Sequence, residues 1–441
     1  GTISLSLISV GELIVSSSRV QSVRGMREAM PGMASKISEI QERVLQTIRS
    51  YAYDEIQISL LEYTELFARG VGEATDIVEK EMYSLEDRDG VSLSLRPEGT
   101  AGCVRALEEN GLLYNQTQKV FYVGPMFRYE KPQKGRYRQF NQIGVEAYGF
   151  SGPDIDLELI LLARDIWEGL GLTKVLTLEI NNLGSLESRR KYRIALVEFL
   201  QPNKDALDED SQRRLQTNPL RILDTKNETT KLVLEKAPKL DDFLDSESKE
   251  RFSRLCALLT EQGQDYVINP FLVRGLDYYT DCVFEWKANN VGAQDTICAG
   301  GRYDGLVERL GGRQTPAIGF AIGLERMILA LEALEQTQES RVSVDVYVSF
   351  LEESFLGKAM NMAELIRESD AGLRVRVHMG GGNFKKQLKR ADSVGAKWAV
   401  LIGDEEVKQN IVTLKNMRDS EDGQVGLPIE GAIEKLMSDN S

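Results

Sequence analysis

The chain has 441 residues, 42% of them hydrophobic and 28% charged, a balance typical of a globular protein with two or three domains. Its formal net charge of −14 argues against indiscriminate binding to nucleic acid, although a polyanion could still bind to local basic patches. No apolar run could span a bilayer, and four scattered cysteines without a Cys-x-x-Cys pair suggest neither a zinc site nor a disulfide framework.

The available residue types limit the chemistry. His378 is the single histidine, so triads and metal sites built on histidine are nearly excluded. Any mechanism must therefore use carboxylates, arginines and backbone donors. A reducing cytoplasm fits the cysteine usage best, and we expect no membrane attachment.

The N-terminal region starts with a segment that we expect to lie outside the main fold. Residues 1–19 contain Glu12 and lack a basic start, which argues against a signal peptide, so we interpret them as a tail of unknown role. From Ser35 to Tyr53 apolar residues recur at helical spacing and predict an amphipathic helix. Residues 54–62 are expected to be extended.

A short strand is predicted at residues 92–99, followed by a turn and a helix. Pro97 and Gly99 suit the turn, and Thr100 is a plausible helix N-cap. The sequence predicts no structural role of this kind for Glu98. A carboxylate beside a tight turn at a strand end usually binds a cation. Glu98 is therefore a candidate binding residue.

Residues 119–149 predict two strands joined by a long basic loop. Because side chains alternate along a strand, Gln142, Gly144 and Glu146 share one face, opposite the apolar residues between them. Arg128, at the exit of the first strand, can reach the same cavity. The loop carries cations interleaved with aromatic residues, namely Lys131, Lys134, Arg136 and Arg138 with Tyr129 and Tyr137. This composition suits a phosphate-rich partner, and the alternative is an amphipathic hairpin with a solvated charged tip.

The second half of the sequence contains two further candidate arginines. Arg274 lies where a strand gives way to Gly275, and its guanidinium suits a bidentate grip on phosphate, unless it forms a salt bridge with Asp277. In residues 316–332, small residues alternate along a strand and could form a flat floor for a planar base, with Arg326 following at the start of a helix. The alternative is a tightly packed strand–helix junction. The small residues are Gly319, Ala321 and Gly323.

Residues 342–441 are predicted to form a separate α/β unit with a mostly parallel or mixed sheet. Predicted strands near 342–350, 374–378, 398–403 and 410–415 alternate with helices near 354–369 and 384–394. A basic cluster marks one side of the second helix, consisting of Lys385, Lys386, Lys389 and Arg390. Such a cluster alone is usually a solvated face, and His378 is interpreted as structural.

Several of these stretches together resemble the class II aminoacyl-tRNA synthetases. GPMFRYEKPQKGRYRQFNQIGVEAYG at 124–149 is similar to motif 2 of the histidyl branch, and PAIGFAIGLERMILALE at 316–332 resembles motif 3. RGLDYYT at 274–280 and AGGRYDGL at 299–306 resemble the two signatures that separate histidyl enzymes from other class II members. Residues 380–403 resemble the anticodon-binding domain. The resemblance runs from about residue 20 to about residue 430, and Ser59 stands where motif 1 usually carries proline.

The resemblance implies an α/β (α+β) fold in which an antiparallel-sheet catalytic domain is flanked by helices. This domain would cover residues 20–334 with a helical insertion at about 184–263, and residues 342–441 would form the anticodon-binding domain. The insertion would clamp the acceptor stem, although a structural lid without RNA contact is equally compatible with its residues. The resemblance also implies a cytoplasmic homodimer.

The implied activity is ATP-dependent ligation of L-histidine to tRNA(His) through a histidyl-adenylate, with release of AMP and pyrophosphate. Arg128 and Arg274 are the implied catalytic residues, because they suit the α-phosphate. The implied ATP-binding residues are Arg128, Glu130, Arg274 and, at the γ-phosphate, Arg326. Mg²⁺ would bridge the pyrophosphate oxygens, without a protein metal site beyond contacts to Mg-ATP.

For histidine, the family pattern implies that Glu98, Thr100 and Gln142 hold the α-ammonium group, with Gly99 in the same turn. Glu146 and Tyr279 would read the imidazole ring, and Tyr278 would line the same pocket. For tRNA, the resemblance implies that Gln133, Arg136 or Arg138 meets the extra 5′ nucleotide and the discriminator base.

Two other functions share this scaffold. A regulatory or RNA-binding protein without catalysis would not need Glu98 and three arginines together. A ligase for threonine, proline or glycine would share the C-terminal domain type, but RGLDYYT and AGGRYDGL count against it.

Overall fold

The computed structural model describes residues 20–291, 295–334, 344–369, 372–419 and 423–438, so the predicted tail at 1–19 lies outside the described residues. The chain divides into two compact units. The first contains the described residues up to Glu28 and from Arg43 to 334, and the second contains 29–42 and the described residues from 344 onward.

The helices and strands of the region up to residue 334 are as follows. The strands are β1 Asp54–Glu55, β2 Leu61–Tyr63, β3 Tyr83–Glu86, β4 Ser92–Leu95, β5 Gln118–Phe127, β6 Gln139–Tyr148, β7 Leu176–Asn182, β8 Val267–Ile268, β9 Thr280–Ala288, β10 Thr296–Arg302 and β11 Ala317–Gly323. The helices are α1 Pro31–Ser50, α2 Thr64–Val71, α3 Thr100–Glu109, α4 Pro153–Leu170, α5 Leu186–Leu200, α6 Glu209–Thr217, α7 Glu228–Leu234, α8 Ser246–Glu261, α9 Leu306–Arg309 and α10 Leu324–Leu334.

An eight-stranded sheet dominates the first unit, with the order β1-β5-β6-β11-β10-β9-β7-β8. The six central strands pair antiparallel, and the edge strands β1 and β8 pair parallel with their neighbours. This antiparallel-rich sheet confirms the predicted fold class. Strands β2, β3 and β4 form a small separate sheet.

The sheet positions glycines where strands approach closely. In the β6–β11 pair Gly319 lies opposite Glu146, and in the β10–β11 pair it lies opposite Gly301. A Cβ on Gly300 would lie 2.2 Å from the Gly319 carbonyl oxygen and one on Gly301 would lie 2.6 Å from the Cys282 carbonyl oxygen, so strand packing requires both glycines.

The chain between β7 and β8 is helical. It contains α5 to α8, joined by 3-10 turns such as Pro219–Asp224. Its leucines, including Leu196, Leu200 and Leu215, are buried in the same core cluster as residues of β5 and α3. We refer to residues 184–263 as the helical insertion.

The second unit carries a mixed sheet, as predicted, with the order β13-β12-β14-β15-β16; the fifth strand, β16, was not predicted. Its elements are β12 Val346–Phe350, β13 Val375–Val377, β14 Trp398–Ile402, β15 Val412–Asn416, β16 Gln424–Leu427, α11 Leu356–Ser369, α12 Phe384–Ser393, α13 Asp404–Gln409 and α14 Ile429–Ser438. His378 is fully buried, and its ring nitrogens lie 2.8 Å from the Tyr347 hydroxyl and 2.9 Å from the Gly381 carbonyl. Its role is therefore structural.

Candidate active site

One cavity lies on the face of the large sheet and gathers most of the residues singled out from the sequence. It is lined from β5 and β6, from the loop between them, and from β9, β10, β11 and α10. The predicted site residues on its wall are Glu98, Gly99, Thr100, Arg128, Glu130, Arg136, Gln142, Arg274, Tyr278, Tyr279 and Arg326. Gly319, Ala321 and Gly323 also line it, as the predicted floor requires.

Glu146 is buried beside the cavity wall, with 1% of its surface exposed, and its Oε2 occupies the space that a Cβ on Gly319 would fill. Its Oε1 accepts hydrogen bonds from the Thr100 hydroxyl at 2.8 Å and from the Tyr122 hydroxyl at 2.9 Å. The Tyr303 hydroxyl donates to Oε2. Burial raises the pKa of Glu146 to about 8 against the opposing effect of these hydroxyl donors, and the charge of Glu98 raises it further.

Glu98 has a structural role that the sequence analysis did not foresee. Its carboxylate accepts the backbone N–H groups of Thr100 at 2.8 Å and Ala101 at 2.9 Å, and so caps the N-terminus of α3. The expectation that Thr100 is the N-cap is wrong, because Gly99 holds that position and the Thr100 hydroxyl is directed to Glu146. The Tyr278 hydroxyl also donates to Glu98, at 3.3 Å.

Tyr122 and Tyr303 were missed in the sequence, although both contact Glu146. The Tyr122 ring lies between Gly99 and Gly144, where an added Cβ would approach the ring to 2.2 and 2.1 Å respectively. The signal available in the sequence was the position of Gly144 between two polar residues of one strand face. A side chain missing there leaves room for a ring from the neighbouring strand.

Arg128 and Arg326 both line the cavity. The Arg128 Nε donates to the Pro97 carbonyl at 2.8 Å, and its guanidinium lies 5.2 Å from the centroid of the Phe140 ring. Arg326 donates to the Gly135 carbonyl at 3.2 Å and the Thr296 carbonyl at 3.0 Å. The pKa of Arg326 is lowered by burial and then by the positive charges of Arg136 and Arg128. A bound anion would relieve this repulsion.

Arg274 is paired with Glu285 rather than with Asp277. The salt bridge to Asp277 considered from the sequence is absent; Asp277 instead accepts a 3.0 Å hydrogen bond from Asn218. Burial acts to lower the pKa of Arg274, but the Glu285 carboxylate together with Tyr279 and Tyr278 raises it, and the net shift is upward. The Arg274 guanidinium also lies 5.5 Å from the centroid of the Tyr279 ring.

The loop between β5 and β6 is folded back by a tight turn. Gln133 and Arg136 exchange backbone hydrogen bonds of 3.0 and 2.9 Å, so the Arg136 side chain reaches Glu130 at 2.8 Å and lines the cavity. Gln133 is exposed at the tip of the turn. Arg138 donates to the Glu130 carbonyl at 3.1 Å and lies 3.8 Å from the Tyr129 ring centroid.

A fully buried ion pair joins Asp156 to Arg302, the residue directly before Tyr303 in the sequence. Arg302 contacts Asp156 with both Nε and Nη2, at distances between 2.5 and 3.0 Å, and the two side chains are 0% and 1% exposed. Since Tyr303 follows directly, this pair fixes the backbone from which the Tyr303 hydroxyl reaches Glu146.

The antiparallel sheet and the arginine-lined cavity on its face define a class II aminoacyl-tRNA ligase. Comparison with known proteins gives the branch. The family model described as histidyl-tRNA synthetase matches residues 25–327, and the model described as an anticodon binding domain matches residues 345–438. The chain belongs to the histidyl-tRNA synthetase family.

Solved structures agree with this assignment. The apo histidyl-tRNA synthetase of S. aureus is 34% identical, with 95% of this chain and 100% of that chain covered and a TM-score of 0.78. The histidyl-tRNA synthetase of Nostoc sp. PCC 7120 shares the fold at 18% identity over 96% of this chain and 100% of that chain, with a TM-score of 0.69. A Bacillus halodurans protein described as an ATP phosphoribosyltransferase regulatory subunit/histidyl-tRNA synthetase shares it at 22% identity over 88% and 99%, with a TM-score of 0.64.

Proposed function

We propose that this protein ligates L-histidine to its tRNA in two steps. The histidine carboxylate attacks the α-phosphorus of ATP, the bond to the bridging oxygen breaks, and pyrophosphate leaves. The 3′-terminal ribose hydroxyl of the tRNA then attacks the histidyl carbonyl and expels AMP. The observation that carries this proposal is a cavity whose lining includes Arg128, Arg274, Arg326 and the carboxylate Glu98. The hydroxyl of Thr100, on the same wall, donates to the buried Glu146.

The first step needs alignment and positive charge rather than a general base, because a carboxylate is already ionised near neutral pH. Arg128 and Arg274 would stabilise the charge that develops on the α-phosphate, and Arg326 would bind the γ-phosphate. The mutual proximity of Arg128, Arg136 and Arg326 supports this role, since the positive charges of Arg136 and Arg128 act on Arg326 and a bound polyphosphate would offset that repulsion. Glu130, paired with Arg136, would orient that arginine beside the nucleotide.

For the amino acid, we assign the α-ammonium group to Glu98, Thr100 and Gln142, with Gly99 giving the close approach. Glu146 and Tyr279 would read the imidazole nitrogens, and Tyr278 would line the pocket. The burial of Glu146 among hydroxyl donors supports discrimination, because an apolar analogue would leave buried polar groups unpaired. The hydroxyls of Tyr122 and Tyr303 donate to the Glu146 carboxylate and fix its orientation.

Mg²⁺ would accompany ATP and neutralise charge on the pyrophosphate. Among the described residues no group of three His, Cys, Asp or Glu could hold a metal ion alone. The carboxylates of Glu285 and Glu325 line the cavity, and this donor set fits an ion that is held mainly by phosphate oxygens.

The partners of the reaction are part of the same proposal. The match to an anticodon-binding domain and the exposed lysines of α12 support tRNA binding by the second unit, and the exposed Gln133 with Arg136 and Arg138 supports contact with the tRNA end. Apolar residues exposed on the small sheet, Leu61, Tyr63 and Leu85, support a homodimer. No helix among the described residues is long and apolar enough to cross a membrane. We also propose a cytoplasmic location. The proposed domain limits are 20–334 and 342–441.

The test is pyrophosphate exchange into ATP with a panel of amino acids, followed by charging of tRNA(His). We expect exchange with histidine and not with threonine, proline or glycine. Arg274→Ala should lower the rate by about 10²–10³, the usual effect of removing one preorganised donor. Exchange that does not depend on histidine, or charging that is indifferent to the extra 5′ nucleotide, would contradict the assignment.

A further inference from the structure

The helical insertion holds the segment 274–281, which carries Arg274, Tyr278 and Tyr279. From α5, Arg189 Nη1 donates to the Tyr279 carbonyl at 2.6 Å and to the Asp277 carbonyl at 3.2 Å. Asn218, before the 3-10 turn Pro219–Asp224, donates to the Asp277 carboxylate at 3.0 Å. On the opposite side, the Asp277 backbone N–H donates to the Val71 carbonyl at 3.0 Å.

These bonds fix the main chain on both sides of Tyr278. The two carbonyls that Arg189 holds belong to the residues directly before and after Tyr278, so their orientation sets the direction of that ring. Tyr278 in turn donates to Glu98, and its ring lies 4.7 Å from that of Tyr279 and 5.5 Å from that of Tyr303. A shift of this segment would therefore move the aromatic wall of the amino-acid pocket.

Arg189 is distinguished from its neighbour by these contacts. Its guanidinium lies in the interface between α5 and the segment, where a charged donor bound to two carbonyls is stronger than a neutral one. Arg190, the next residue of the same helix, has 65% of its side chain exposed and is paired with Glu187 of α5. The two arginines thus provide a matched pair, with the same charge and adjacent positions in the same helix.

We propose that Arg189 is a positioning residue for histidine recognition, through which the helical insertion sets the geometry of the amino-acid pocket. The inference rests on the proposed function and deepens it. It gives the insertion a task in the first, RNA-free step of the reaction. The bond from Asn218 to Asp277 serves the same task from a second point of the insertion.

The experiment compares Arg189→Ala, Arg189→Lys and Arg190→Ala by histidine-dependent pyrophosphate exchange without tRNA, measuring KM for histidine and for ATP separately. Arg189→Ala should raise KM for histidine roughly tenfold or more, because two partly buried carbonyls lose a charged donor. KM for ATP should change by less than about twofold, because Arg128 and Arg326 keep their own contacts and Arg274 keeps its ion pair with Glu285. Arg189→Lys should restore part of the loss, and Arg190→Ala should match the wild type.

The outcomes separate the inference from the function on which it rests. Wild-type protein without histidine-dependent exchange would contradict the proposed function. Active wild type with an Arg189→Ala variant that equals Arg190→Ala, or with both KM values rising together, would overturn the inference. If circular dichroism shows that Arg189→Ala does not fold, Asn218→Asp decides: a second carboxylate facing Asp277 should raise KM for histidine selectively, and an unchanged value would overturn the inference.

Discussion

Gly319 of β11 lies directly opposite Glu146 of β6, and a Cβ on Gly319 would lie only 1.7 Å from the Glu146 Oε2 atom. The carboxylate thus occupies the volume that any other residue type at position 319 would fill. Gly319, which we interpreted as part of a floor for a planar base, is therefore also required to leave room for the Glu146 carboxyl.

Gly319→Ala should disable histidine binding while leaving the fold recognisable. The new Cβ would also lie 2.6 Å from the Val145 carbonyl oxygen, so the strand must shift, and a displacement of about 1 Å near the reacting groups can cost on the order of 10²-fold. KM for histidine in the exchange assay measures the effect. Gly323→Ala is the control, because its Cβ would meet only the Arg326 side chain at 3.8 Å. Equal KM values for the two variants would contradict the role given to Gly319.

Tyr303→Phe should weaken histidine binding without unfolding the protein. It removes the donor on Glu146 Oε2 and keeps the ring contacts with Tyr148 and Tyr278. The loss of one hydrogen bond to the buried Glu146 carboxyl, about 0.5–1.5 kcal/mol, corresponds to roughly two- to tenfold in KM for histidine. Tyr114→Phe, at a position 57% exposed, should have no effect. An unaltered KM in Tyr303→Phe would show that its hydroxyl does not support recognition.

The stability of the ligand-free protein should fall as the pH rises toward 8. The pKa of Glu146 is raised by burial to about 8 from the ordinary glutamate value of 4.5, so between these values the folded state holds a proton that the unfolded state has lost. The stability contributed by this proton is complete below the unfolded pKa and is lost as the pH rises through the folded pKa. Urea titrations at about pH 5.5, 7 and 8.5 should show this decline in the wild type and a weaker one in Glu146→Gln. Parallel curves would exclude Glu146 as its source.

Arg302→Met should be among the most destabilising single substitutions. It leaves the Asp156 carboxylate, 1% exposed, without its cation, a change that typically costs about 3–5 kcal/mol in the free energy of unfolding. The double variant Arg302→Met with Asp156→Leu should lose less, because no buried charge remains unpaired. Urea unfolding of both variants measures the difference, and a double variant less stable than Arg302→Met would refute this account of the pair.

Local patterns predicted much of the molecule. The alternation of β6 correctly placed Gln142, Gly144 and Glu146 on one face, because the two-residue period of a strand is a local property. The helix predicted from Ser35 to Tyr53 is present as Pro31–Ser50, and the mixed sheet of the second unit follows from its strand–helix alternation. The strand predicted at 92–99 is shorter, at Ser92–Leu95, because a local run of residues does not fix how many of them find a partner strand.

The sequence by itself determined which functional groups are available, namely arginines, carboxylates, tyrosines and a single histidine, which is buried in the second unit. It also determined the small residues that allow strands to run close together. Only the tertiary structure decided the pairings. Arg274 bonds to Glu285 rather than to the nearer Asp277, and the hydroxyls on Glu146 come from positions 24, 46 and 157 residues away. Such partners depend on the register of strands that are distant in sequence, and register is set by the packing of the whole sheet rather than by any one segment.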